Sequence, residues 1–424
     1  MYPTTLRLAD EDTMRPLSFS SFVCTLNLFL ILFGYQSIAC FTSGIVDYNT
    51  GTSFITWPYR GFAAFIAGLA FLCGRSRLPK MSGIMWLVLL FWILYITRAV
   101  YDLGLRPRVD FEIYEISERP NGFFQAWAYV FVFTLLPLLS ILRSWEQIDY
   151  ARLLNWSLVM CTMSIIVSLT GIEDLVGEYA TQRSGFLALN PISYGRFGGH
   201  LLILACYKFF TCRSPIWKLL SIIPIVLGAY ILLRAGSRGP ILSLFVSYFI
   251  WIFVGTRFLI LGIVLSIFGL LILYIYFEQI LDLVHIISPV MATRISNSVY
   301  NMDSSGRDVL FSDYINGIFE NPITGMHLDV ISYSHNACID GFVMFGVLFG
   351  WIVFAVILLA FIRASWGIKM RMQHYWISLV LIDQLVGAQL SGAFGTNAIA
   401  WCLIVIVCSL YRSPDSAEAT LRRG

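Results

Sequence analysis

The chain has 424 residues, 58% hydrophobic and 12% charged, with a mean hydropathy of +0.77. Soluble domains carry roughly 25% charged residues, so an ordinary water-soluble globule is excluded. A net charge of +3 is too small to suggest a nucleic-acid partner, and nine scattered cysteines with no CxxC pair point to neither a zinc site nor a disulfide framework.

Apolar runs long enough to cross a bilayer recur along the sequence. Twelve are predicted, over 18–42, 54–74, 82–103, 123–142, 153–172, 191–210, 216–233, 239–255, 257–277, 337–362, 374–391 and 395–411. Each should be a helix, because backbone groups in lipid must be satisfied within their own segment. The first run lacks a small-residue cleavage site and precedes many others, so it reads as a retained helix rather than a signal peptide. The expected fold is an all-α polytopic membrane protein of about 12 transmembrane helices, one domain over 1–424 with no internal repeat. An even number of spans puts both termini on one side. The segments on that side carry Arg75, Arg77, Lys80, Arg143, Arg152, Lys208, Arg213, Lys218, Arg257, Arg363, Lys369 and Arg371. With the two tails they hold most of the Lys and Arg, which marks the side as cytoplasmic.

The outer loops are unequal. Residues 104–122 and 173–190 mix arginines with carboxylates, and residues 278–335 form the dominant loop, with seven acidic residues and two arginines, Arg294 and Arg307. Loops of that length are usually functional or partly structured. Ser305 resembles an N-cap with Asp308 behind it, and Leu310, Phe311, Tyr314, Ile315, Ile318 and Phe319 recur at helical spacing before Asn321-Pro322 and Gly325 stop the helix. An amphipathic helix on the membrane surface is expected, with Arg307 in its first turn, either solvated or placed to bind an anion.

Charged side chains within or beside spans tend to mark function. Arg234 and Arg238 flank a tight turn, Leu233-Arg234-Ala235-Gly236-Ser237-Arg238-Gly239-Pro240. Two guanidiniums with glycine N–H groups can cradle a phosphate; a turn whose arginines reach lipid headgroups is the plain alternative. Arg196 lies about one turn into the helix opened by Asn190-Pro191-Ile192 and needs a carboxylate or a ligand phosphate beside it. Arg60 and Arg98 lack comparable context and read as structural. Ser334-His335-Asn336 ends the long loop and opens the glycine-containing span Phe342 to Ile362, with Asp340 about a turn deeper. A helix start disfavours imidazolium and so keeps His335 able to accept a proton. Asp340 can orient it or pair with an arginine. No HxxxH or HxxE spacing suggests a metal.

Three of these stretches together resemble the superfamily of bacterial O-antigen ligases and O-antigen polymerases. Gly236-Ser237-Arg238-Gly239-Pro240 is similar to its membrane-turn arginine motif. Ser305-Gly306-Arg307-Asp308 with Glu320-Asn321-Pro322-Ile323-Thr324-Gly325 is similar to its outer-loop motif. Ser334-His335-Asn336 with Asp340, Gly346 and Gly350 is similar to its histidine motif. The resemblance covers roughly residues 233–352. It implies a GT-C-like, metal-independent, inverting glycosyltransferase of the inner membrane, without a cofactor, working at the periplasmic face. Its donor would be a glycan on undecaprenyl diphosphate. It implies His335 as the base and Arg238 and Arg307 as diphosphate-binding groups, with Arg196, Arg234, Asn336 and Asp340 as further substrate-binding candidates. The Asn-Pro-Ile stretch and the Ser-Arg-Gly-Pro turn favour a polymerase, whose acceptor is a second lipid-linked repeat unit. A ligase acting on lipid A-core is the alternative. A chain-length regulator and membrane lipid are the further partners implied. From another class, a flippase could use the same arginines, but there is no internal repeat and the polar features gather outside the bilayer midplane.

Overall fold

A chain this apolar has to satisfy its backbone within each segment. The computed structural model of the chain describes residues 17–43, 53–77, 81–104, 130–170, 189–255, 264, 268, 271–272, 274–300, 307–327, 334–391 and 395–411. Every element it describes is helical. In order these are α1 (Phe19–Ser43, with a π-turn at Leu30–Gly34), α2 (Ser53–Cys73), α3 (Gly83–Gly104) and α4 (Leu136–Ser144, continuing a π-turn at Phe131–Leu135). Then come α5 (Tyr150–Thr170), α6 (Pro191–Thr211), α7 (Pro215–Arg234) and α8 (Arg238–Gly255). The long loop holds α9 (Phe277–Ile287), α10 (Pro289–Tyr300) and α11 (Arg307–Glu320). The chain continues as α12 (Ala337–Lys369), α13 (Trp376–Leu390) and α14 (Ala398–Leu410). Most of 257–277, residues 105–122, most of 173–190, Ser305, Gly306 and the tail from Arg412 lie outside the described residues.

Among the described residues six helices are long and apolar enough to cross a membrane, and α8, α13 and α14 are apolar but shorter. Surface and interior are inverted relative to a soluble protein. Ile216, Leu219 and Val226 of α7 are exposed, while His200, Asp340, Asp383 and Gln384 are sealed inside. The chain is an all-helical, polytopic membrane protein. The helix α6 is long enough to span, but Ser193, Arg196 and His200 dilute its apolar character; His200 is packed inward and Arg196 lies against α13.

The hairpin α13–α14 occupies the centre, with nearly every residue buried. At 1.5 Å per residue its arms are about 22 and 20 Å long, short of the roughly 30 Å of a bilayer core. Its apex is held by partners: Thr134 Oγ1 donates to Thr396 O, and Asn397 caps Ala400 N. Its open end meets the basic connections. Tyr375 packs on Tyr207, His374 on Tyr150 and Tyr411 against Gly367, while Arg143 donates to Gly74 O and Lys208 to Asn155 Oδ1. Arg75, Arg143, Arg152, Lys208, Lys369 and Arg371 thus share one end of the bundle.

The expected span over 337–362 is not one helix from its start. Gly346 has φ 70° and ψ −178°, and there the chain folds back on itself. A Cβ on Gly341 would come within 2.7 Å of Val353 Cβ, and Phe342 packs edge-on against Trp351. In a straight helix residues 341 and 353 would be about 18 Å apart. A short arm, 337–345, therefore lies against the long arm, 347–369. The stretch 321–327 fills the break. Met326 N donates to Val343 O, and Val347 N donates to Pro322 O. Arg98 of α3, paired with Asp102 at 2.8 Å, donates to Met326 O and anchors that stretch. The Asn321–Gly325 motif thus both ends α11, as expected, and satisfies the backbone opened at Gly346.

No side chain fits at Gly346, since a Cβ there would collide with Pro322 O and the φ is left-handed. Gly346→Ala should cost about 1–3 kcal/mol and lower the thermal unfolding midpoint in detergent. Gly68→Ala, with nothing within 4 Å, should not. Equal midpoints for the two variants would contradict the fold-back.

Candidate functional site

His335 has φ 63°, a conformation costly for any residue but glycine. Its neighbours hold it there. Ser334 N and Oγ both lie within hydrogen-bond reach of Asp340 Oδ1, at 2.8 and 2.7 Å, and both residues are buried. Asn336 caps the short arm, its Oδ1 accepting from Cys338 N and Ile339 N at 3.0 and 3.1 Å, while its Nδ2 donates to Gln389 O of α13 at 3.2 Å. The helix start expected after His335 is present. Asn336 and Asp340 act first on the protein itself, bracing the backbone that presents a half-buried imidazole. Asp340 Oδ2 is buried and makes no hydrogen bond among the described residues.

Arg196 follows from the opening of α6. Asn190 Oδ1 accepts from Ser193 N at 2.8 Å and Pro191 sets the first turn, so residue 196 falls on the face toward α13. Its guanidinium lies across Gly387, where any Cβ would collide with it, and Nη2 reaches Ser391 O at 3.5 Å. Its Nε is buried without a hydrogen-bond partner among the described residues. A cation so placed, with donors to spare, suits an anionic ligand.

The turn between α7 and α8 is built differently from the expected cradle. Gly236 N is taken by Leu233 O at 3.1 Å, so that N–H is not offered to a phosphate, and Gly236 O accepts from Arg294 of α10 at 3.1 Å. Arg234 folds back along α7, donating to Tyr230 Oη at 2.7 Å with its guanidinium over that ring. Arg238 opens α8 and is half-buried. Arg307 opens α11, and its side chain lies outside the described part of the structure.

These stretches meet on one place, the last turn of α13. Arg196 crosses Gly387, Asn336 bonds Gln389, and Gly239 abuts Leu390. Gly195 closes the ring against Ala235 and Pro240 of the turn. The structure therefore brings together Arg196, the turn carrying Arg234 and Arg238, and His335 with Asn336 and Asp340. Among the described residues no group of three or more His, Cys, Asp or Glu is placed to hold a metal ion.

Sequence reasoning passed over the polar network beneath. Asp383 Oδ1 accepts from Ser243 Oγ at 2.7 Å, and Oδ2 lies 3.1 Å from His200 Nε2. Gln384 Nε2 is 2.9 Å from the same ring nitrogen. The available signal was Asp383 itself, the sole charge in α13, since an ionisable residue inside a span is a functional candidate by default.

Asn336→Ala removes both the cap and the tie to α13. It should cost about 1–2 kcal/mol, read as a lower unfolding midpoint. Asn336→Asp keeps the cap, loses only the tie, and should fall between Ala and wild type. Wild-type stability in the Ala variant would show that neither bond matters.

Compared with models of known protein families and with curated proteins, the sequence matches none.

Proposed function

We propose that this chain is an inverting membrane glycosyltransferase that polymerises glycan repeat units carried on undecaprenyl diphosphate. The observation that carries this reading is the meeting of the His335-Asn336 stretch, through the Asn336 amide, with arginine-bearing elements on the last turn of α13. Transfer needs a base within reach of the acceptor hydroxyl and cations to hold charge as it builds on the leaving group. In this reading His335 takes the hydroxyl proton as the acceptor oxygen bonds to the anomeric carbon. The bond from that carbon to the diphosphate breaks, and its electron pair leaves on the diphosphate held by Arg238, Arg307 and Arg196. No metal or cofactor takes part. Arg234, Asn336 and Asp340 complete the substrate-binding set, with Asn336 and Asp340 setting the pose of His335.

The proposed topology has twelve spans and both termini in the cytoplasm. The basic end faces inward by the positive-inside rule, and the site opens to the periplasm beneath loop 278–335. The location in this reading is the bacterial inner membrane. The donor and acceptor are lipid-linked, and a chain-length regulator is a candidate partner.

Purified protein given lipid-linked repeat units, without lipid A-core, should make a ladder of longer lipid-linked chains. Product appearing only when core is added would make the protein a ligase. Relocation across the bilayer without a change in length would make it a flippase. His335→Ala should cut elongation by about 10²–10⁴-fold while keeping donor binding; a full ladder from that variant would remove the base assignment. Arg238→Lys should elongate poorly, because an ammonium cannot reproduce bidentate contact with a phosphate.

A further inference from the structure

One turn below Arg196 lies a sealed carboxylate that the proposed chemistry leaves unused. Asp383 precedes Gly387 by four residues on α13, and His200 follows Arg196 by four on α6. The two helices run antiparallel, so the pairs stack: Arg196 crosses Gly387, and His200 faces Asp383. Ser243 of α8 occupies the other carboxylate oxygen. His200 and Ser243 are 0% exposed, and Asp383 and Gln384 are 1% exposed. One carboxylate therefore ties α13 to α6, which carries Arg196, and to α8, which begins at Arg238. The carboxylate accepts only, so a hydrogen bond to it needs the proton on His200 Nε2, and the Gln384 amide must then turn its oxygen to that nitrogen. A charge at this depth needs an opposite one. The nearest cation above it is Arg196, whose guanidinium lies over Gly387, one helical turn from Asp383 on the same face of α13.

We propose that Asp383 is a positioning residue for the anion-binding arginines: moored by His200 and Ser243, its charge holds the Arg196 guanidinium over Gly387 at the level of the α7–α8 turn. Its use in binding a diphosphate rests on the functional reading above; the pairing with Arg196 does not.

A double-mutant cycle on the full chain in detergent tests this. Wild type, Asp383→Asn, Arg196→Gln and the double variant are each read by thermal unfolding and by binding of farnesyl diphosphate as a probe. Asp383→Asn keeps the acceptor for Ser243 and removes the charge. It should lower the unfolding midpoint, and adding Arg196→Gln should restore much of the loss, because no cation is then left buried alone. Each single variant should bind the probe about tenfold more weakly, and the double no more weakly than either single. Ser243→Ala leaves both charges but strips a donor from a buried carboxylate oxygen; it should lower the unfolding midpoint and bind about threefold more weakly. Additive losses in midpoint and affinity would overturn the pairing, as would a wild-type midpoint and affinity in Asp383→Asn. If Asp383→Asn fails to fold and the double variant folds, the pairing stands. If both fail, wild-type affinity in Ser243→Ala overturns the proposal and the threefold loss supports it. If the wild-type protein binds no diphosphate, the functional reading falls, and the unfolding cycle alone decides the pairing.

Discussion

Arg196 crosses helix α13 at Gly387, a residue with no side chain to stop it. That close approach depends on α6 and α13 lying in one register, and the same register sets His200 against Asp383. A guanidinium and a carboxylate inside an apolar bundle are expensive unless each is answered. The carboxylate is answered by Ser243 of α8 and His200 of α6, and the guanidinium reaches Ser391 O; Gln384, with Asn397 beside it at 3.5 Å, backs the His200 ring. The polar contacts run from Asn397 at the apex through Gln384 and His200 to Asp383 and Ser243, one turn from where Arg196 crosses Gly387.

The shortness of α13 and α14 gives this arrangement its place. The arms of the hairpin are shorter than a full crossing, so its apex lies short of a membrane-spanning length. The short arm 337–345 enters that level, and its cap, Asn336, fastens to Gln389. Irregular backbone at membrane depth is tolerated only where protein or a polar cavity satisfies it. Here the loop 321–327 does so at Gly346, and Ser334 with Asp340 does so at His335. An outer-loop motif and a histidine motif that look separate in the sequence are two halves of one joint.

Much of this was legible as polar residues interrupting apolar runs. The turn at 234–240, the Asn190-Pro191-Ile192 opening and Ser334-His335-Asn336 stand out for that reason, and α11 shows in the spacing of Tyr314 and Ile318. The fold-back at Gly346 was not legible. A glycine in an apolar run reads equally as a tolerated helix residue or a break, and what decides it is the loop hydrogen-bonded across it. Asp383 was visible as a lone charge, but its partners Ser243 and His200 lie 140 and 183 residues away on other helices. That Gly236 gives its N–H to Leu233 O within the turn was not legible either, because it depends on the backbone the turn adopts.

The central claim is that Arg196, Arg238 and His335 serve one substrate. The most direct measurement is an experimental structure of the full chain with an undecaprenyl-diphosphate-linked repeat unit bound. The account predicts phosphate oxygens within about 4 Å of the Arg196 and Arg238 guanidiniums, above the last turn of α13, with the His335 ring facing the first sugar. Phosphate density elsewhere, or His335 turned away from the sugar and across the bundle from both arginines, would contradict it.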